Sequence, residues 1–274
     1  MFFINNLKLT IMNKVISTTI ALLFAFQLSA QVLVIPDIHG RTYWKEATAK
    51  HSNLPVIFLG DYLDPYSYEG ITPEDALANF KEILAFKKAN KDRVTLLIGN
   101  HEVHYLDTAL WFSRKDTVNA GYIQQLLYEN LHLFQMAAHA ELDGKSYLFT
   151  HSGILEAWWK KYFPETQTDA ASICNALNGK MKDTATFVAF IDDELMNISK
   201  LRRGDAEAGS CVWADVREQP KKTDFLEGTY QVFGHTQLRK KPVIKKSFAD
   251  LDCRKAFLLT TKDGQTRIVE FGKE

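Results

Sequence analysis

The segment RVTLLIGNHE, residues 93–102, decides the fold class. Its first part is a short run of aliphatic and β-branched residues, which is typical of a strand buried in a sheet. An amide, an imidazole and a carboxylate follow this run directly, as Asn100, His101 and Glu102. Polar side chains at the end of a buried strand indicate a binding site at the edge of a sheet.

Two similar runs precede this segment, VLVI at 32–35 and PVIFLG at 55–60. Between the second run and residue 93, the sequence predicts an amphipathic helix from about Pro73 to Ala89, because Thr72 suits its cap and proline its first turn. Strands that alternate with helices predict β-α-β units around a largely parallel sheet. The fold class predicted from this pattern is therefore α/β.

The second half of the chain begins with a hairpin at residues 141–150, with Asp143-Gly144 as its turn. The following stretch, about 154–210, has a mostly helical and polar pattern, and strands return at YQVFG, PVIKK, AFLLTT and TRIVEF. We find neither a repeat nor a low-complexity linker. We therefore predict one domain, residues 31–274, with a mainly helical cap inserted at about 154–210.

The chain carries 33 basic and 33 acidic residues, so its formal net charge is zero. No overall field would attract it to nucleic acid or to an anionic membrane, and any anion must be held locally. Its three cysteines, Cys174, Cys211 and Cys253, are too few for a disulfide framework or a zinc ribbon. They leave room for one disulfide in an oxidising compartment.

The N-terminus has the pattern of a secretory signal. Lys8 and Lys14 precede an apolar run, VISTTIALLFAF, and the small-residue stretch QLSAQ follows it. We predict that residues 1–30 are a signal peptide cleaved after Ala30 and that the mature chain is periplasmic or secreted. A buried N-terminal helix is the alternative. The run is short for a membrane span and no second one follows, so stable membrane insertion is not expected.

Residue types that bind metals follow five of the predicted strands. They are Asp37 and His39 in PDIHG, Asp61 and Asp64 in GDYLDP, Asn100 and His101 in GNHE, His151 in HSG, and His235 in GHTQ. Because the carboxyl ends of parallel strands meet at one edge, we expect these side chains to converge. Two divalent ions about 3.5 to 4 Å apart can bind a phosphate and activate a water. Such mixed ligands suit manganese, iron or zinc better than calcium.

These five blocks, in this order and spacing, resemble the signature of the calcineurin-like metallophosphoesterases. The resemblance runs from about Val32 to His235 and implies a two-sheet β-sandwich flanked by helices, with a dinuclear metal site at the strand ends. It implies that the first metal is held by Asp37 and His39, that Asp61 bridges, and that the second metal is held by Asn100, His151 and His235.

The resemblance also implies that His101 is the acid that protonates the leaving oxygen, and that Asp64 orients its ring. A carboxylate-held imidazolium would keep a proton available at neutral pH. Glu102 would support the metal ligands without binding a metal itself. His104 corresponds to no functional residue of the family pattern. The implied reaction is hydrolysis of a phosphomonoester by direct attack of a metal-bridging hydroxide.

The sequence departs from the family pattern at two places. One bears on which branch of the family the chain resembles, and the other on how it would contact phosphate. Gln237 stands where many relatives carry a second histidine. Relatives near the Ser/Thr phosphoprotein phosphatases also lack that histidine, so the resemblance is nearest to the bacterial branch that is similar to those phosphatases. Those phosphatases carry Arg-Gly after GDxxD, whereas this chain has Pro65-Tyr66-Ser67, so one phosphate-clamping arginine is missing.

A replacement for that arginine is predicted in CVWADVRE, residues 211–218, which resembles a late tryptophan block of phosphatase-like members. We predict that its Arg217 binds phosphate. The alternatives are a surface Arg217 paired with Asp215 or Glu218, and a clamp formed by Arg202 or Arg203 instead.

The predicted substrate is a phosphomonoester, with a phosphoprotein as one candidate. A small-molecule or dinucleoside polyphosphate substrate is the first alternative. A metal-stabilised binding module that has lost activity is the second, although an intact Asp64 and His101 argue against it, because a binder needs no proton donor.

Overall fold

The computed structural model describes residues 31–106, 114–219, 225–226, 228–262 and 265–274. The predicted signal peptide lies outside the described residues. Among the residues that are described, no helix combines the length and the apolar character needed to cross a membrane.

The first sheet has six strands in the order β11-β10-β1-β2-β3-β4. Strands β1 to β4 are parallel, as predicted, while β10 pairs antiparallel with β1 and β11 pairs antiparallel with β10. The strands are β1 (Gln31–Ile35), β2 (Val56–Phe58), β3 (Val94–Leu97), β4 (Phe134–Gln135), β10 (Phe257–Lys262) and β11 (Gln265–Glu270).

The second sheet has five strands in the order β5-β6-β7-β9-β8. They are β5 (Ala137–Leu142), β6 (Lys145–Thr150), β7 (Thr229–Phe233), β8 (Val243–Ile244) and β9 (Phe248–Asp250). The predicted hairpin is formed by β5 and β6, and both turn residues, Asp143 and Gly144, have positive φ angles of 52° and 67°. Strands β6, β7 and β9 run parallel.

Seven α-helices accompany these sheets in the described part of the chain. They are α1 (Tyr43–Lys50), α2 (Pro73–Ala89), α3 (Asn100–Leu106), α4 (Ala120–Glu129), α5 (Glu156–Tyr162), α6 (Ala170–Gly179) and α7 (Thr184–Phe190). Helix α2 has the predicted bounds, and Thr72 and Asp75 form a reciprocal capping box at its start.

The alternation of side chains along β1 shows how the layers are held together. Val32 and Val34 face the second sheet and pack in a cluster with Phe149 and Val232. Leu33 and Ile35 point to the opposite face, into a larger cluster that contains helix residues. Because successive side chains of a strand alternate between faces, both faces of this sheet are buried. The predicted two-sheet sandwich flanked by helices is confirmed.

The three helices α5 to α7, which lie within residues 154–210, share the larger apolar cluster. Trp158, Trp159 and Phe187 are buried there together with Leu33 of β1. All three cysteines of the chain are buried and free, so the one disulfide that the sequence allowed is not formed.

Asn178 of α6 joins these helices to the edge of the second sheet. Its side-chain oxygen accepts hydrogen bonds from the backbone N–H groups of Met136 (2.9 Å) and Ala137 (3.1 Å). Its side-chain nitrogen donates to the carbonyl of Ala137 (2.9 Å).

Candidate active site

The loops after five strands bring the six predicted metal ligands into one buried region. Asp37 and His39 follow β1, Asp61 follows β2, Asn100 begins α3 after β3, and His151 and His235 follow β6 and β7. His39, Asp61, Asp64 and His235 have positive φ angles of 44°, 53°, 57° and 70°. Such backbone conformations are uncommon outside glycine and tend to concentrate at functional sites.

Asp61 lies between two imidazoles, and each of its oxygens faces one of them. Its Oδ2 is 3.5 Å from Nε2 of His39, and its Oδ1 is 3.4 Å from Nε2 of His151. A carboxylate that presents one oxygen to each side has the geometry expected of a bridging ligand.

The tautomers of the two imidazoles follow from their other nitrogens. Nδ1 of His39 donates to the carbonyl of Leu63 (2.8 Å), and Nδ1 of His151 donates to the carbonyl of Leu59 (2.7 Å). Because a carbonyl can only accept, the proton of each neutral ring is on Nδ1, and both Nε2 lone pairs face Asp61. Backbone carbonyls orient metal-binding histidines in this way.

A second group of ligand atoms converges around Asn100. Its side-chain oxygen is 3.0 Å from Nε2 of His151 and 2.9 Å from Nδ1 of His235, and these two nitrogens are 3.1 Å apart. Burial lowers the pKa of His151 to about 3, so its Nε2 carries no proton near neutral pH. Electron-rich atoms held this close together in a buried site fit a divalent cation.

The carboxylates of the site are also arranged as a cation would require. Burial, then the charges of Asp252 and Asp61, raise the pKa of Asp37 well above its usual value. Burial, then the charge of Glu102, raise the pKa of Asp61 in the same direction. This mutual repulsion is the kind that a bound cation relieves, so the residues fit the dinuclear site that the sequence predicts.

Glu102 ties together the loops that carry the ligands. Its carboxylate accepts hydrogen bonds from the backbone N–H groups of Asp61, Tyr62 and Gly99, each at 2.9 Å. The two loops touch at Gly99, where a Cβ would come within 2.2 Å of Oδ1 of Asp61. Glu102 therefore supports the loops that carry the ligands through hydrogen bonds to their backbone.

His101 extends from α3 toward the same region. Its Nδ1 is 2.6 Å from Oδ2 of Asp64, and its Nε2 is 4.0 Å from Oδ2 of Asp61. Burial would raise the pKa of Asp64, but hydrogen bonds from His101 and His104 outweigh it and hold that pKa well below its usual value. Asp64 is therefore ionised at neutral pH and positioned to orient the His101 ring.

Two features of the structure bear on the proton that His101 would donate. Burial lowers the pKa of His101 to about 4, although Asp64 opposes that shift. Nη2 of Arg114 also lies 3.0 Å from Nε2 of His101, and because a guanidinium can only donate, this nitrogen is an acceptor here. In this arrangement Nε2 accepts from Arg114, whereas an acid would have to carry a proton on that nitrogen.

A cavity of about 230 Å³ opens beside these groups. Among the residues that line it are His101, Tyr66, Trp213 and two arginines, Arg114 and Arg202. The Arg114 guanidinium lies over the Tyr66 ring, 3.8 Å from its centre. Arg202 forms an ion pair with Asp215 (Nε to Oδ2, 3.0 Å) and donates to Thr236 Oγ1 (2.9 Å).

Arg217 does not reach the cavity. Both sides of its guanidinium contact Asp215, at 2.8 and 3.0 Å, and its side chain is 63% exposed. The surface ion pair, the alternative stated above, is the arrangement found, because a carboxylate two residues away is the nearest partner. The prediction that Arg217 binds phosphate therefore has no support in its position.

Sequence reasoning missed Arg114 and His104. No local signal marks Arg114, which lies beyond the GNHE block in a connection of no regular pattern. His104 could have been found, because positions three apart on a helix share a face and His101 lies in the first turn of that helix. Gln237 donates to the hydroxyl of Tyr68 (2.9 Å) and also lines the cavity.

Comparisons with known proteins agree with this geometry. The family model described as calcineurin-like phosphoesterase matches residues 30–237. A cold-active protein-tyrosine phosphatase of a psychrophilic Shewanella is 16% identical, with a TM-score of 0.54 over 87% of this chain and 80% of that one. A protein serine/threonine phosphatase from Saccharomyces cerevisiae is 13% identical, with a TM-score of 0.50 over 88% of this chain and 79% of that one.

At these identities the two solved structures establish a shared fold. The family model covers well over half of the chain and includes every strand end that carries a predicted ligand. The chain therefore belongs to the calcineurin-like phosphoesterase family.

Proposed function

We propose that the protein is a phosphatase that hydrolyses a phosphomonoester with the help of two divalent cations. The ligands would be Asp37, His39, Asp61, Asn100, His151 and His235. The observation that carries the proposal is Asp61, whose two oxygens face different imidazoles beside a cavity that also contains a histidine-aspartate pair. Manganese, iron and zinc are the cations that suit these ligands.

Bound cations would supply Lewis-acid polarisation of the phosphoryl group and a water nucleophile at neutral pH. The protein would hold the other oxygens of the phosphate with Arg114 and Arg202, whose guanidinium groups line the same cavity. These two arginines would supply the positive charge that an arginine after GDxxD supplies in the phosphoprotein phosphatases. Here that charge would come from other segments of the chain.

His101 would donate a proton to the leaving oxygen from Nε2, while Asp64 holds Nδ1. In this structure Arg114 occupies Nε2 as a donor. A phosphate dianion would compete for that guanidinium, and its negative charge would favour a protonated His101. Leaving-group protonation is needed because an alkoxide is a poor leaving group.

A phosphoprotein is the substrate class that we propose to test first. The two similar structures are named as protein phosphatases, and Gln237 stands where the phosphoprotein phosphatase branch also lacks the second histidine. A small-molecule or dinucleoside polyphosphate substrate is the alternative, and a binding module without activity is the third candidate.

The test compares His101→Ala with a matched control, His139→Ala, which removes an exposed histidine of β5. With added manganese, we expect His101→Ala to lower turnover of a phosphoserine peptide by about two to four orders of magnitude. An aryl phosphate should lose less, because its leaving group needs little protonation. Equal losses on both substrates would contradict an acid role for His101.

The same assay separates the other candidates. Phosphopeptides, nucleotides and dinucleoside polyphosphates, each tested with manganese and with a chelator, would identify the substrate class. Two bound metals with no turnover of any of these compounds would favour the binding module.

We also propose that the mature chain is periplasmic or secreted, on the basis of the signal pattern in residues 1–30. Mass spectrometry of the protein expressed in a bacterium should find a first residue at or near Gln31. A full-length chain in the cytosol would contradict this proposal.

A further inference from the structure

The Asp64 carboxylate receives more hydrogen bonds than the orientation of one imidazole requires. Its Oδ2 is 2.6 Å from Nδ1 of His101 and 2.7 Å from Nε2 of His104. Its Oδ1 accepts from the hydroxyl of Tyr105 and, at 3.4 Å, from the backbone N–H of Asp116. The residue is 1% exposed, so any rotation of the carboxylate would leave buried groups without partners.

The two additional side-chain donors cannot act directly on a substrate. His104 and Tyr105 are 0% and 1% exposed, and neither is among the described residues that line the cavity. Both lie on α3, three and four positions after His101, so one helix presents all three donors to the same carboxylate. Their hydrogen bonds to Asp64 are therefore the contacts through which we expect them to affect the reaction, although the ring of His104 also touches that of His101, with 4.8 Å between their centres.

A metal site is the other reading of this cluster, because Asp64, His101 and His104 lie close enough together to be considered one. The nitrogen-to-oxygen distances of 2.6 and 2.7 Å argue against it. They are shorter than the 2.9 to 3.1 Å that separates the ligand atoms around Asn100, and two ligands bonded at about 2.1 Å and at right angles on one cation would be roughly 3 Å apart. The spacing is that of charge-assisted hydrogen bonds.

The orientation of the His101 ring depends on which way Asp64 points. The backbone of Asp64 is in the left-handed region, with φ of 57°, so its side chain leaves the loop in a direction that few residues adopt. With Oδ1 held by Tyr105 and Oδ2 shared with His104, the carboxylate has a single orientation. Nδ1 of His101 then meets Oδ2, and Nε2 is directed to the cavity that this ring lines.

We infer that His104 and Tyr105 are positioning residues that hold the Asp64 carboxylate in the one orientation in which it aligns His101 for proton transfer. The inference rests on the proposed role of His101 as the acid. It assigns functions to two residues that the family resemblance left without one.

The test uses the full-length protein with manganese and two substrates, a phosphoserine peptide and p-nitrophenyl phosphate. Tyr105→Phe removes one hydroxyl, His104→Leu removes the nitrogen donor, and His104→Gln keeps an N–H group near the position of Nε2. We expect Tyr105→Phe and His104→Leu to lower kcat for the peptide by roughly ten- to a hundredfold, the usual effect of removing an outer partner of a site. We expect KM and the aryl phosphate rate to change little, and His104→Gln to recover most of the loss.

The matched control is Tyr230→Phe, which removes a hydroxyl whose one proton lies within hydrogen-bond range of the carbonyls of Phe248 (2.8 Å) and Lys245 (3.0 Å) at the second sheet. It should leave both rates unchanged. If His104→Leu fails to fold, Tyr105→Phe still decides the question, since it removes a single atom.

A double variant separates the failure of this inference from the failure of the proposed function. In a His101→Ala background, Tyr105→Phe should cause no further loss, because its effect passes through His101. Equal losses on both substrates, or loss of a metal ion in His104→Leu, would overturn the positioning role and leave His101 as the acid. A fully active His101→Ala would instead overturn the acid role, and the positioning role with it.

Discussion

At the scale of single residues, Asp61 is the side chain on which the proposed two-metal site depends. It is buried, its backbone is in the left-handed region, and its two oxygens face His39 and His151 separately. A neutral amide at this position would present one oxygen and one N–H group, so it could not serve both sides.

We therefore expect Asp61→Asn to lose bound metal and to lower turnover by at least about a hundredfold, more than the loss of an outer partner would cause. Elemental analysis of the purified variant measures the metal directly. Asp92→Asn, at an exposed position in the connection before β3, is the matched control. Two retained metals with normal turnover would show that Asp61 does not bridge.

The arginines give a second prediction at this scale. Arg114→Lys should keep the positive charge but lose the planar fork, so KM and the inhibition constant for inorganic phosphate should rise by roughly tenfold. Arg217→Lys should change neither, because its partner is Asp215 on the surface. Steady-state kinetics with both variants will check this pair, and the reverse result would return phosphate binding to Arg217.

At the scale of elements, the loops after β2 and β3 approach each other at two glycines. Gly60 has φ of 109°, and a Cβ there would lie 2.6 Å from the backbone nitrogen of Gly99 and 2.9 Å from Nδ1 of His151. Both contacts are with atoms that cannot move without displacing a ligand loop. Glu102 holds the same two loops together through their backbone N–H groups.

We expect Gly60→Ala to lower both the stability and the metal content of the protein. The added methyl group pushes against backbone, and the φ angle is unfavourable for alanine, so a loss of about 1 to 3 kcal/mol in the free energy of unfolding is expected. Chemical denaturation and elemental analysis measure the two effects. Gly70→Ala is the control, because its φ is also positive, at 70°, but a Cβ there meets nothing within 4 Å.

The elements also show what the sequence could and could not predict. Strands β1 to β3 and helix α2 were predicted because their apolar periodicity and the Thr72 cap are local signals. The pairing of β1 with β10 was not predicted. Gln31 and Thr260 are far apart in sequence, and no local pattern shows which distant strand will pair with β1. The position of Arg114 also has no local signal in the sequence. The blocks that contain the predicted ligands, in contrast, can be recognised from their residues alone.

At the scale of the whole molecule, the net charge is zero, but several carboxylates are buried together at the candidate site. Burial and the charge of Asp252 both raise the pKa of Asp37 and of Asp61, and burial raises the pKa of Asp252 itself to about 6 although nearby arginines oppose that shift. Because the pKa of each group is raised in the metal-free fold, protons compete with cations on the acid side of neutrality and leave as the pH rises.

We expect the affinity for manganese to increase as the pH rises from 6 to 8, by about tenfold per pH unit for each proton that a cation displaces. The sign follows from Asp37 and Asp61, because a raised pKa means that protons compete with the cation more strongly at the lower end of this range than at the upper end. Calorimetric titration in two buffers with different ionisation enthalpies measures the protons released. An affinity that does not change with pH would contradict the prediction.

The shared apolar cluster of α5 to α7 and the central strands has a consequence for any attempt to delete these helices. Trp158, Trp159 and Phe187 pack in the same cluster as β1, whose end leads to Asp37, and Asn178 completes the edge of the second sheet. Deleting the three helices would expose the apolar side chains beneath them to water and would remove the acceptor of the N–H groups of the chain at that edge. A shortened chain would therefore lose part of the interior that supports the loop carrying Asp37.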